Sequence, residues 1–122
     1  MKNKFRVIFS VFFIIAGVNH FIMPWFYEPL IPEIFHFIQE INYLSGFLEI
    51  LFGTGLFFEK TRHVSAVGIM LLLICFIPSH VYFIQMDSCI GDGLCVHPSI
   101  AWVRLLVIHP LLIYGAWKCR KN

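Results

Sequence analysis

The chain has 122 residues, 59% of them hydrophobic and 13% charged, with a mean hydropathy of +0.81 and a formal net charge of +2. Soluble domains carry about 25% charged residues, so a water-facing fold of this size cannot hide so much apolar surface. The small net charge gives no sign of a nucleic-acid partner, and the chain reads as a single domain, residues 1–122, whose solvent is mostly lipid.

A bilayer-spanning helix takes roughly 20 mostly apolar residues. Four segments qualify, at about Phe5–Met23, Ile41–Phe58, Val64–Ile84 and Pro98–Trp117, which predicts an all-α, four-helix transmembrane bundle. The first segment follows Met1-Lys-Asn-Lys-Phe-Arg6 and has the look of a signal peptide. Its apolar run reaches His20 without an Ala-x-Ala cleavage pattern, so it is expected to be retained as a helix.

The loop after it opens with Pro24-Trp-Phe-Tyr-Glu-Pro29, a proline-bracketed aromatic cluster of the kind that sits at a membrane interface. Ile34, Phe37, Ile38 and Ile41 then follow an i, i+3, i+4, i+7 pattern. That pattern predicts a short interfacial helix from Pro32, or an extension of the second spanning helix. In the second helix Ser45, Gly46, Glu49 and Gly53 share a face, and small residues there let helices approach closely.

The loop after the third helix holds Cys89-Ile-Gly-Asp-Gly-Leu-Cys95. The two thiols either close a disulfide staple, stay free, or form a redox-active pair; the spacing is not Cys-x-x-Cys. In the fourth helix Arg104, Ile108, Leu111 and Gly115 form one face. His109 lies about 140° from Arg104 at 100° per residue. Pro78 and Pro110 interrupt helical hydrogen bonding.

Basic residues are segregated. Lys2, Lys4 and Arg6 precede the first helix, Lys60 and Arg62 fill the turn after the second, and Lys118, Arg120 and Lys121 follow the fourth. The other two loops carry Glu28, Glu33, Glu40, Asp87 and Asp92 with no Lys or Arg. Positive charge marks the cytoplasmic side, so both termini are expected inside and the two longer loops outside. The cationic ends are expected to rest on anionic headgroups.

Glu49 and Arg104 are the sharpest signals, because each interrupts a long apolar run. An ionisable group in a bilayer is expensive and normally faces the bundle interior with a partner. Counted along the helices, His20, Glu49, His80 and Arg104 all fall in the outer half of the membrane, one on each helix. The expectation is one outward-opening polar pocket of His20, Ser45, Glu49, His80 and Arg104, with Glu49 and Arg104 close enough to pair. An interhelical salt bridge that only fixes packing is the competing reading. No His, Cys and carboxylate set has metal-ligand spacing on one helix.

These residues resemble the DoxX-like family of small bacterial membrane proteins over most of the chain. Ala16-Gly-Val-Asn-His-Phe21 is similar to its Gly-x-x-His-Phe helix end, with Pro24 and Tyr27 similar to the aromatic-proline stretch that follows. Leu44-Ser-Gly-Phe-Leu-Glu-Ile-Leu-Phe-Gly-Thr-Gly-Leu56 resembles its Ser-Gly-x-x-Glu-x-x-x-Gly helix, the most specific part. Arg62 precedes the third helix, and Pro78-Ser-His-Val-Tyr82 resembles that helix's end. Trp102-Val-Arg-Leu105 resembles the start of an Arg-Leu-Pro-Leu-Gln motif, from which Leu106 and Ile108 depart.

The resemblance implies a four-helix bundle in the bacterial plasma membrane and no particular reaction. The functional expectation is a multi-pass membrane protein that binds a small amphipathic molecule, a quinone or a lipid, in the polar pocket. No cofactor is evident beyond a quinone, and an independent enzyme is not expected. Two alternatives stand beside it: a quinone- or thiol-linked oxidoreductase subunit working with a membrane-protein partner, and a structural accessory protein without chemistry.

Overall fold

A computed structural model describes residues 3–89 and 95–121. Lys2 and Asp92, both counted in the charge pattern, lie outside the described residues. Among these residues every regular element is helical, and Cys89 meets Cys95 in an isolated antiparallel bridge.

Helix α1 spans Asn3–Ile22 and is followed by a single turn, α2, Pro24–Tyr27, and a 3₁₀ turn, Glu28–Leu30. Pro24 starts the first turn and Pro29 is second in the other, positions where a missing N–H costs nothing. The interfacial helix expected from Pro32 does not form, and residues 31–37 are turns and bends. Ile31 is held extended at φ −83, ψ 127, as a residue before proline prefers. Ile34 and Phe37 remain exposed, so the apolar spacing finds no face to pack on. A helix that short is not stable by propensity alone. The helical part of this loop is the proline-started stretch before it.

The second long helix, α3, covers Ile38–Gly55, three residues earlier at both ends than the segment read from hydropathy. The third is broken into α4, Arg62–Cys75, and α5, Ile77–Gln85, at Phe76. Pro78 cannot donate to the carbonyl four residues back and disfavours a helical residue before it. After α5 the chain turns through Asp87 and Ser88, both in the left-handed region at φ 59 and φ 60. The Ser88 amide donates back to the Phe83 carbonyl at 3.0 Å, closing the helix end.

The fourth rod starts with α6, Pro98–Val103, capped by His97, whose Nδ1 accepts the Ser99 amide at 3.2 Å. It widens into a π-helical turn, Arg104–Ile108, and ends as α7, His109–Cys119.

Helix α1 packs on α3 and α7, α3 also on α4, and α4 also on α7. The four rods therefore form a ring in which α3 and the α6–α7 rod sit on a diagonal and do not touch. Helices α1 and α3 run antiparallel: Ser10 Oγ–H donates to the Gly53 carbonyl at one end, and His20 meets Asn42 at the other. Between them Gly17 and Gly46 abut, and a Cβ on Gly17 would stand 2.6 Å from the Gly46 carbonyl oxygen. The main core joins Phe9, Phe13, Leu56, Ala66, Ile69, Leu73, Ala116 and Cys119. A smaller core joins Leu30, Phe83 and Ala101 near the α5 end.

Most of the outer surface is apolar, with Ile8, Ile15, Leu44, Phe47, Leu71, Leu106 and Leu111 exposed. Segments Lys4–Ile22, Arg62–Gln85 and Pro98–Cys119 are long and apolar enough to cross a membrane. Helix α3 is long enough but more polar, through Gln39, Glu40, Asn42 and Glu49. Asn42 and Glu49 are buried in the interior, while Tyr43, Leu44, Phe47 and Leu51 face out.

Candidate functional site

The five predicted pocket residues do not form one cluster. His20 and Glu49 belong to one between α1, α2 and α3. His80 and Arg104 belong to another between α5 and the fourth rod. Ser45 is half-buried and joins neither by a hydrogen bond.

In the first cluster His20 Nε2 lies 3.1 Å from Glu49 Oε1, and both residues are buried. The other ring nitrogen, Nδ1, lies 2.7 Å from Asn42 Oδ1. Asn42 Nδ2 donates to the His20 backbone carbonyl at 3.0 Å. Asn42 precedes Glu49 by two helical turns, so both project from α3 toward α1. Tyr27 of α2 covers the group, its ring stacked on the His20 imidazole at 4.0 Å between centroids and 19° between planes. Burial holds the Tyr27 phenol above its ordinary pKa, the Glu49 charge adds to that, and a side-chain hydrogen bond with Asn19 acts the other way. The phenol is therefore neutral at physiological pH.

The Glu49–Arg104 ion pair expected from equal depth is not formed. Glu49 is instead in hydrogen-bonding contact with His20. The reason is azimuth: α3 packs on α1 and α4, while Arg104 stands on the diagonal rod. Equal depth along two helices does not place them side by side.

In the second cluster the Arg104 guanidinium lies over the Phe83 ring, 5.1 Å from its centroid. His80 meets His109 edge to face at 4.5 Å, and His109 Nε2–H donates to the Leu73 carbonyl at 2.6 Å. That carbonyl belongs to the last turn of α4, just before the break that Pro78 imposes. His109, expected to face away from Arg104, shares its side of the rod. The π turn explains this, because its hydrogen bonds join residues five apart and stack position 109 over position 104. Arg104 Nε and His80 Nδ1 are buried and have no hydrogen-bond partner among the described residues.

Three other observations went unread in the sequence. Asn42 and Tyr27 complete the first cluster; the seven-residue spacing of Asn42 from Glu49 was the available signal. Arg6, counted as a surface cation at the cytoplasmic end, is buried, with Nε and Nη1 unpartnered among the described residues. A groove of about 550 Å³, lined by residues 32–34 and by Ile77, Pro78, Val81, Tyr82 and Gln85, runs along the flank of α5 and contains none of the five predicted residues.

Cys89 and Cys95 are joined in a disulfide, with Cα atoms 3.9 Å apart. Cys75 and Cys119 are free.

The chain belongs to the family described as a domain of unknown function, DUF8561, whose profile matches residues 9–120. No curated protein and no solved structure matches it.

Proposed function

We propose that this is a multi-pass protein of the bacterial plasma membrane that binds the polar end of a small amphipathic molecule at His80 and Arg104. The observation that carries the reading is the pair of unmet groups there. Arg104 Nε and His80 Nδ1 are buried without a partner among the described residues, on rods whose outsides are apolar. Buried polar groups are nearly always bonded, so an unpaired one calls for an explanation, and here it is an absent acceptor. A carbonyl or anionic oxygen on the ligand supplies it. Phe83, under the guanidinium, offers a flat apolar surface beside that acceptor. A quinone ring carbonyl and a lipid headgroup oxygen both have this chemistry.

The membrane reading takes α3 as a fourth crossing. Asn42 and Glu49 are taken up by α1, so beyond Gln39 and Glu40, exposed in its first turn, what it presents outward is largely apolar. Both termini and the 59–62 turn are cytoplasmic, on the charge asymmetry of the sequence. The DoxX-like resemblance agrees with this architecture and is part of the proposal. On this reading the chain is not an independent enzyme.

Mass spectrometry of small molecules that copurify with the protein tests the reading. Wild-type protein should retain one ligand class, and Arg104→Gln and His80→Phe should lose it while keeping their helical circular dichroism. Retention of the same molecules by both variants would sink the assignment. An oxidoreductase subunit remains the second reading, because the Cys89–Cys95 disulfide is exposed. A pair that stays oxidised across the thiol–disulfide range of its compartment removes that reading.

A further inference from the structure

The hydrogen bonds around His20 fix how many protons the group contains. Asn42 Nδ2 donates to the His20 carbonyl, which leaves Oδ1 facing the ring at 2.7 Å. Oδ1 can only accept, so His20 Nδ1 carries a hydrogen. A neutral imidazole of that tautomer presents a lone pair at Nε2. An ionised Glu49 presents lone pairs at Oε1. Two lone pairs do not hold a 3.1 Å contact. One further proton must lie between them, on either atom, as imidazolium with carboxylate or as imidazole with carboxylic acid.

We propose that His20 and Glu49 form a proton-transfer site that takes up and releases this single proton at the end of α1 remote from the basic termini. The ligand of the site is the proton itself. On uptake, one proton from water or a bound donor bonds to Nε2 or Oε1; on release, it passes to a water or an acceptor oxygen, and the contact opens. No other bond changes. The groups facing the pair are Tyr27 from α2, which Asn19 of α1 hydrogen-bonds in turn, and Asn42 from α3. Glu49 has no Lys or Arg within salt-bridge distance among the described residues, so no fixed cation holds it permanently ionised. Tyr27, neutral and half-buried, stacks over His20 as the cover on the way out.

The inference is independent of the ligand reading, since it uses neither His80 nor Arg104. A merely structural hydrogen bond would hold the same atoms together without exchanging its proton, and the two cases separate by experiment. Nitrogen NMR of ¹⁵N-histidine-labelled protein in lipid nanodiscs, with His20 identified by its loss in His20→Asn, reads the tautomer directly. A protonated Nδ1 is expected; a His20 with hydrogen on Nε2 alone overturns the proposal.

Infrared difference spectra between acidic and alkaline buffers read the transfer. A carboxyl band that disappears in Glu49→Gln and persists in Arg104→Gln is expected. Gln keeps a donor toward Nε2, so the fold survives the change. Faster exchange in Tyr27→Ala is expected from removing the cover. Identical difference spectra for wild type and Glu49→Gln reduce the pair to a packing contact and overturn the proposal, even if the tautomer is as described.

Discussion

At the residue scale, the pairing of Glu49 decides what each substitution does. Glu49 is bonded to His20 and not to Arg104, so double-mutant cycles in denaturant should couple the first pair by about 0.5–1.5 kcal/mol, the range of polar contacts between membrane helices. The Glu49→Ala and Arg104→Ala costs should simply add. A coupling between Glu49 and Arg104 as large as that of Glu49 and His20 would contradict the geometry. Tyr27 gives a pH signature. Its folded pKa lies above the ordinary 10.0, so the unfolded chain gives up the phenol proton first. That contribution is fully present below the ordinary value and is lost as pH rises through the folded one. Tyr27→Phe should therefore flatten the alkaline fall in melting temperature and remove one late-titrating phenol from the tyrosinate absorbance. The sequence singled out His20 and Glu49, which are buried, and His80 and Arg104, which are half-buried, because an ionisable group within an apolar run is visible without any structure. It could not name their partners. Helix count gives height, and partner choice depends on which rods are neighbours around the ring.

At the element scale, two local devices hold the clusters in place. The Gly17–Gly46 approach lets α1 and α3 close until His20 reaches both Asn42 and Glu49. An added Cβ on Gly46 would stand 2.6 Å from His20 Cβ. Gly46→Ala should thus cost about 1–3 kcal/mol by overpacking, measured as a lowered unfolding midpoint, with His20 and Glu49 pushed apart. The π turn is the second device. Inserting an alanine after Val107, an exposed residue in it, would turn the rod beyond it by about 100° and swing His109 off the Leu73 carbonyl. The insertion should lower the melting temperature by several degrees, while Val107→Ala should scarcely change it. Equal melting temperatures for the insertion and the substitution would show that the turn carries no positional load. Hydropathy located the long rods to within a few residues, since apolar length is a property of composition. It missed the breaks at Phe76 and in Arg104–Ile108, where Pro78 and Pro110 signalled a disturbance but not its form. The apolar spacing after Pro32 misled because periodicity reports a face and not whether anything covers it.

At the scale of the whole molecule, the exposed apolar girdle and the charge asymmetry set the expected topology. Reporter fusions within residues 59–62 should read cytoplasmic, and fusions at Asp87 or His97 exported; the reverse would remove the orientation. Non-reduced protein should gain two alkylated cysteines on reduction, Cys89 and Cys95, beyond those labelled before it. Labelling of both without reductant would show that the bond is absent in the membrane. The diagonal arrangement also bears on how the chain is made. Helix α3 owes its apolar exterior to α1, because Asn42 and Glu49 meet His20 instead of lipid. Arriving alone, α3 would bring an unpaired carboxyl and amide into hydrocarbon, where each polar group left unsatisfied costs several kcal/mol. On the proposed four-crossing topology, α1 must therefore wait beside the insertion machinery until α3 emerges, and the two leave for the lipid as a preassembled hairpin. Biogenesis of this protein would then have a first committed step, and His20 would act before folding is complete as the template on which α3 is accepted into the bilayer.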